Sequence, residues 1–217
     1  MTAILDQKSP HFPRALFLFF LLLSLALAGC ANQPGSPDSG EYAGSPLDSP
    51  AADFLLTDQT GARVSLSDFA GRVVVLTFFD SQCEDVCPLT AVHLRTAYQQ
   101  LGEQADSVVF LGVNVNLESN QPEDVMATTK KWRLDEIPTW RFLTGSAEEL
   151  EPVWKAYDVA VLPQDGGEIL HTPGVFLIDG SGQKRWYIST PFDETGTHSW
   201  TAPLSELLVK RIQELLK

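Results

Sequence analysis

Sulfur and positive charge are both scarce in this chain. Of 217 residues, two are methionine and three are cysteine. With Met1 and Met126 as the only thioethers, a soft-metal site built from methionines is excluded, and so few cysteines rule out the disulfide framework of a small secreted scaffold. Lys and Arg total 15 against 28 Asp and Glu, a formal net charge of −13. That balance argues against a nucleic-acid partner and against a docking face for anionic lipid. No internal repeat is visible.

The apolar run near the N-terminus is also short. Lys8, His11 and Arg14 precede Ala15 to Ala28, interrupted only by Ser24, and the run closes on Leu27-Ala28-Gly29-Cys30. It falls below the ~20 residues of a membrane-spanning helix, as a signal h-region does. A small-residue exit ending on cysteine resembles the lipobox of bacterial lipoproteins, in which cleavage before Cys30 leaves that cysteine to carry lipid. Residues 1–30 are therefore expected to be a lipoprotein-type signal segment, and the rest an extracytoplasmic domain anchored at a membrane. Residues 31–52, dense in Pro, Gly, Ser and Asp, read as a flexible linker of roughly 25 Å reach. Residues 53–217 are the size of one domain with its own core.

Within that domain, strand and helix patterns alternate. Phe54-Leu55-Leu56 and Val64-Ser65-Leu66 bracket the turn cluster Asp58-Gln59-Thr60-Gly61 and read as an opening hairpin. Val73 to Phe79 and Val108 to Val115 have the continuous apolar character of strands buried on both faces. Helices are expected from Pro88 to Leu101, from Pro122 to about Trp132, from Ser146 to Tyr157 with a Ser146–Glu149 capping box, and from Leu204 to Leu216. Trp140 to Leu143 is a further short strand, and Val175 to Asp179 with Gln183 to Ile188 form a late hairpin. The order predicts an α/β fold with a central mixed sheet flanked by helices and an N-terminal hairpin extension, compatible with a thioredoxin-like fold.

The richest segment is Phe79-Asp80-Ser81-Gln82-Cys83-Glu84-Asp85-Val86-Cys87-Pro88. It joins the end of a buried strand to the start of a helix, where unpaired N–H groups favour thiolate. A proline at the first helical position would put Cys87 at or near the N-cap and Cys83 in the loop. With Cys30 assigned to lipid, Cys83 and Cys87 are the only remaining thiols, and such a pair is a local disulfide, a redox couple or part of a metal site. Among the four histidines, His11 belongs to the signal segment, His198 to a polar loop and His93 to the helix after Cys87. His171 precedes Thr172-Pro173 and the strand from Val175. In a thioredoxin-like sheet the loop entering that strand lies beside the dithiol.

The segments Cys83-Glu84-Asp85-Val86-Cys87-Pro88-Leu89-Thr90, Trp140-Arg141-Phe142-Leu143-Thr144-Gly145 and His171-Thr172-Pro173-Gly174-Val175-Phe176-Leu177-Ile178-Asp179 resemble the SCO/SenC family of copper-binding proteins that assist cytochrome c oxidase assembly. The resemblance spans the domain from Asp53 onward. It implies a thioredoxin-like fold with copper, Cu(I) or Cu(II), held by Cys83, Cys87 and His171. The implied partner is a copper-accepting oxidase subunit or another exported thiol protein. Three positions depart from the family pattern: Glu84 stands where proline is common, Leu170 where aspartate is common, and Asn116-Leu117 where Asp-Pro is common.

A second reading keeps Cys83 and Cys87 as the redox pair of an exported thiol-disulfide oxidoreductase, because Thr172-Pro173 resembles the cis-proline loop of those enzymes. A thiol peroxidase, which needs one singled-out cysteine, fits less well. The leader reading makes its own prediction: Cys30→Ser should abolish lipid attachment, and the intact mass and detergent partitioning of the mature protein check it. A protein still cleaved and membrane-bound without Cys30 would refute the assignment.

Overall fold

The computed structural model describes residues 44–165, 167–190 and 202–217. The signal segment, Cys30, His11 and His198 lie outside the described residues. The described part is built around β4 (Val73–Phe79), all seven residues of which are buried. It pairs in parallel with β5 (Val108–Asn114), also buried throughout, and antiparallel with β9 (Gly174–Ile178). Uninterrupted burial explains the lack of alternation in these segments: a central strand covered on both faces has no polar face to display.

Around this centre the strand order is β1-β10-β9-β4-β5-β6-β2-β3. β6 (Trp140–Thr144) continues the parallel set beside β5. The hairpin β2 (Leu55–Asp58) and β3 (Arg63–Ser65) extends that edge antiparallel to β6, as expected for the N-terminal extension. β10 (Gln183–Ser189) forms the late hairpin with β9. Because successive side chains alternate across a strand, β4 feeds two cores. Val73, Val75 and Phe79 pack with the buried faces of α1 (Val86–Leu101) and α4 (Leu204–Leu215), together with Val125 of α2 (Pro122–Lys131). Val74, Leu76 and Phe78 pack with Leu150, Val153 and Trp154 of α3 (Ala147–Ala156) on the opposite face.

The boundaries of β4, β5, α2, α3 and α4 agree with expectation to within a residue or two, but three features differ. First, the flexible linker does not run to residue 52. Ser45–Pro50 forms β1, an edge strand antiparallel to β10, with Arg185 Nη1 3.0 Å from Asp48 Oδ1. Its Pro-, Ser- and Asp-rich composition hid it, because an edge strand needs a ladder on one side only and tolerates proline there. Second, β7 (Val161–Pro163) and β8 (Ile169–His171) form a separate two-stranded ribbon. Two such short strands, one ending in proline, carry no strand signature of their own. Third, the dithiol helix begins earlier than Pro88, at Val86.

Strand β5 also carries a packing constraint at Gly112. A Cβ added there would lie 2.7 Å from Trp140 Cη2 and 3.0 Å from Cζ2, on a buried ring with no space to retreat. Gly112→Ala should cost about 1–3 kcal/mol of stability through overpacking, measured as a lowered urea midpoint with an unchanged slope. Gly61→Ala is no match for it as a test, because a positive φ of 87° there strains any side chain.

Candidate metal and thiol centre

The chain leaves β4 at Phe79 and enters a loop whose polar groups are almost all satisfied inside the fold. Asp80 is buried, and its Oδ1 accepts from Gln82 N–H and from Asn116 Nδ2, each at 2.8 Å. Asn116 N–H donates to Asn114 Oδ1 at 3.1 Å, and Ser81 N–H donates to the same oxygen at 3.3 Å. Asn114 Nδ2 donates to the carbonyls of Asn116 and Ser119. Thr128 of α2 donates to Ser81 O at 2.8 Å. This network pins the start of the dithiol loop to the end of β5, and Cys83 N–H closes it by donating to Asp80 O at 3.1 Å.

Asp85 caps α1, its Oδ1 accepting from Val86 N–H at 2.6 Å. Cys87 is thus the second helical residue rather than the cap, and Pro88 the third. Proline is tolerated there because the first four helical N–H groups have no intrahelical partner to lose. The shift matters chemically. Cys87 N–H, an unpaired amide of the first turn, donates to Cys83 Sγ at 3.4 Å, so the helix start addresses the sulfur of the loop cysteine.

The two thiols are free and unequal. The pKa of Cys83 is held below the ordinary thiol value, chiefly by the hydrogen bond from Cys87 and with help from the Cys87 N–H, against partial burial. Cys87, 2% exposed, is pushed well above that value by donating to Cys83 and by burial. Burial lowers the pKa of His171, so its imidazole is neutral at neutral pH. His171 Nε2 lies 3.9 Å from Cys87 Sγ, and Nδ1 lies 3.1 Å from Thr172 O. With Nδ1 donating to that carbonyl, Nε2 is left with its lone pair towards the sulfur.

The expected trio therefore meets at the carboxyl end of β4, where Cys83, His171, Asp80 and Pro173 among others line a cleft of about 750 Å³ and Cys87 lies buried beside it. Among the described residues, no three His, Cys, Asp or Glu side chains form a closed metal cage. The trio stands as two adjoining pairs that share Cys87. The 3.9 Å between Cys87 Sγ and His171 Nε2 is shorter than the ~4.3 Å that a metal–thiolate and a metal–imidazole bond span end to end, so one ion can bridge them. Thiolates and a neutral imidazole are the donors that copper accepts in either oxidation state.

Two findings depart from the sequence reading. The Thr172–Pro173 peptide is trans, so the cis-proline likeness that supported an oxidoreductase does not hold. Sequence reading also missed Asp80 and the two asparagines that organise the loop. A carboxylate directly after a seven-residue apolar strand was the available signal.

Comparison with known proteins settles the wider grouping. The family model described as SCO1/SenC matches residues 44–198. The chain belongs to the SCO1/SenC family. It is similar to the SCO1 protein homolog of Bacillus subtilis, 26% identical over 162 residues that cover 71% of this chain and 83% of that protein. Among solved structures it resembles a SCO1/SenC family lipoprotein from Bacillus anthracis, with a TM-score of 0.68 at 23% identity, covering 80% of this chain and 98% of that one. It also resembles copper-bound ScoI of Arabidopsis thaliana, with a TM-score of 0.65 at 21% identity, covering 77% and 99%. These likenesses show the thioredoxin-like SCO fold. The Sco family is one of cytochrome c oxidase assembly proteins, and several of its structures hold copper.

The unequal thiols make a pH prediction. Thiolate fraction rises with pH, and a depressed pKa moves that rise to lower pH. Limited iodoacetamide treatment of the reduced protein should therefore modify Cys83 with a midpoint below that of an ordinary thiol, while Cys87 stays unreacted. Peptide mapping across pH 5–9 checks it, and equal labelling of both cysteines would overturn the asymmetry.

Proposed function

We propose that this SCO1/SenC chain is a membrane-tethered copper-binding protein that delivers copper to, or maintains the thiols of, the dinuclear copper site during cytochrome c oxidase assembly. The observation that carries this reading is the approach of Cys87 Sγ to His171 Nε2, 3.9 Å apart though 84 positions apart in the sequence, beside Cys83. Copper is cargo in this reading. Cys83, Cys87 and His171 would hold it, and three protein donors leave a position for an incoming thiolate, so transfer proceeds through shared coordination.

Each residue has a distinct part. Cys83, half-exposed and acidified, is the thiolate that meets cargo or partner first. Cys87 is buried, and its thiol proton must leave before it can ligate, so copper uptake releases protons. His171 arrives neutral and needs no deprotonation, and its lowered pKa keeps it a competent ligand into mild acid. Cys30 would carry the lipid that keeps the domain at the outer side of a membrane, in keeping with the lipoprotein among its structural relatives. Among the described residues no helix is long and apolar enough to cross a membrane.

Thiol-disulfide exchange is the second reading, favoured by one observation: an acidified, accessible Cys83 next to a buried Cys87 is the arrangement of an attacking and a resolving thiol. Its Thr172–Pro173 peptide is trans, which removes the support that came from loop likeness.

Anaerobic titration of the reduced protein with Cu(I) and Cu(II) tests the main reading. Wild type should take up one copper per chain. Cys83→Ser and His171→Ala should each lose more than the ~10- to 100-fold in affinity typical of an outer-shell change, with the His171 effect larger for Cu(II). A wild type that binds no copper, or variants that bind it unchanged, would remove the proposal.

A further inference from the structure

The β7–β8 ribbon leaves two leucines exposed beside the thiol cleft. Leu162 and Leu170 are 53% and 59% exposed. They are Cα partners across the ribbon, so their side chains share one of its faces. Among the described residues the ribbon pairs with no other strand, and its two ends are joined at the base by Thr172 N–H to Ala160 O and by Ala160 N–H to Thr172 Oγ1, both 3.0 Å. Leu170 also lines the cleft and directly precedes His171. Among the described residues, nothing covers this apolar pair, held out on the ribbon next to the histidine of the site.

Charge distinguishes what covers it. Asp80, Glu84, Asp85 and Glu168 line the cleft, and among the described residues no Lys or Arg does. Of these, Glu84, Asp85 and Glu168 are exposed. Lys131 approaches Glu84 at 3.3 Å from outside the cleft. A second copy of this chain, at net charge −13, meets that rim with like charge, as does an anionic lipid surface. We propose that Leu162 and Leu170 form the apolar anchor of a docking surface for a basic protein segment. The segment seats one apolar side chain on the leucine pair and brings a thiol over Cys83 and His171. This deepens the proposed function by naming the chemistry of the partner at the same site. It separates recognition, by ribbon and rim, from ligation, by the two cysteines and the histidine.

The test uses the reduced full chain and two synthetic peptides of about a dozen residues. Both carry one cysteine, as the mixed disulfide with thionitrobenzoate, and one leucine four residues away; three lysines in one are replaced by three glutamates in the other. The Cys83 thiolate attacks the peptide sulfur, the peptide–Cys83 disulfide forms, and thionitrobenzoate leaves as the thiolate read by absorbance. The lysine peptide should react at least ~10-fold faster at low salt, with the advantage shrinking as salt screens the rim. Leu162→Ser/Leu170→Ser should lower its rate about fivefold or more, while the rate with the small reagent 5,5′-dithiobis(2-nitrobenzoate) stays at the wild-type value. Equal rates for the two peptides would overturn the basic partner, and an unslowed double variant would overturn the anchor. Copper titration keeps the two proposals apart. The double variant retains one copper per chain if only the surface is wrong, whereas failure of the copper reading appears in the wild type itself.

Discussion

The burial of β4 on both faces is the constraint on which the rest depends. A strand with no exposed side must sit at the centre of its sheet, and here β5 and β9 flank it while separate cores cover its two faces. It can present chemistry only where it ends. At Phe79 the chain passes from a fully paired ladder into a loop, and every buried polar group of that loop must find a partner. Asp80, Asn114 and Asn116 supply those partners, so the dithiol hangs from a rigid floor. Phe79 itself is wedged edge-on against Trp132 at 5.4 Å, which fixes the exit point from the core side.

How much of this was legible in the sequence follows from where each interaction's determinants lie. Val73–Phe79 could be read because burial on both faces writes itself into consecutive apolar residues, and α3 because Ser146 and Glu149 announce its start. Ser45–Pro50 could not, since its conformation is set by β10 rather than by its own side chains. The same holds for β7 and β8, which depend on each other and on the tie at Thr172. Cys83 and Cys87 were visible by spacing, and His171 by its place before a strand and by family likeness. Asp80 was not singled out, because a single acid after a strand looks like a loop residue until Asn116 is found donating to it across 36 positions. Pro88 misled by two positions: the residue type marks a first turn without saying which place in it.

The hydrogen bond between the two thiols does most of the electrostatic work at the site, and burial adds to it at Cys87. The helix start donates to Cys83 from one side while the protein interior closes over Cys87 on the other. One sulfur therefore carries charge readily and the other resists it, although the two belong to one titrating pair. Burial acts in the opposite sense on His171, where the charged form is the protonated one, and keeps it neutral. The outcome is a set of three donors of which one gives up its proton more readily than an ordinary thiol, one is ready as neutral base, and one holds its proton. Such a set stays open until something with a strong enough claim on Cys87 arrives, whether a soft metal or a disulfide.

The positions where the sequence resemblance leads one to expect other residues fall at different depths, and depth decides what each can affect. Asn116 is buried and hydrogen-bonded to Asp80, so the acid near the cysteines belongs to the floor of the site instead of the loop after β5. Its charge acts on Cys87 and His171 with little solvent between. Glu84 and Leu170 are exposed at the rim, one near Lys131 and one on the ribbon. Changes there scarcely alter the field inside the cleft, because water screens them, but they are the first surface an approaching molecule meets. A chain can therefore retune whom it meets through the rim while leaving what it binds to the floor.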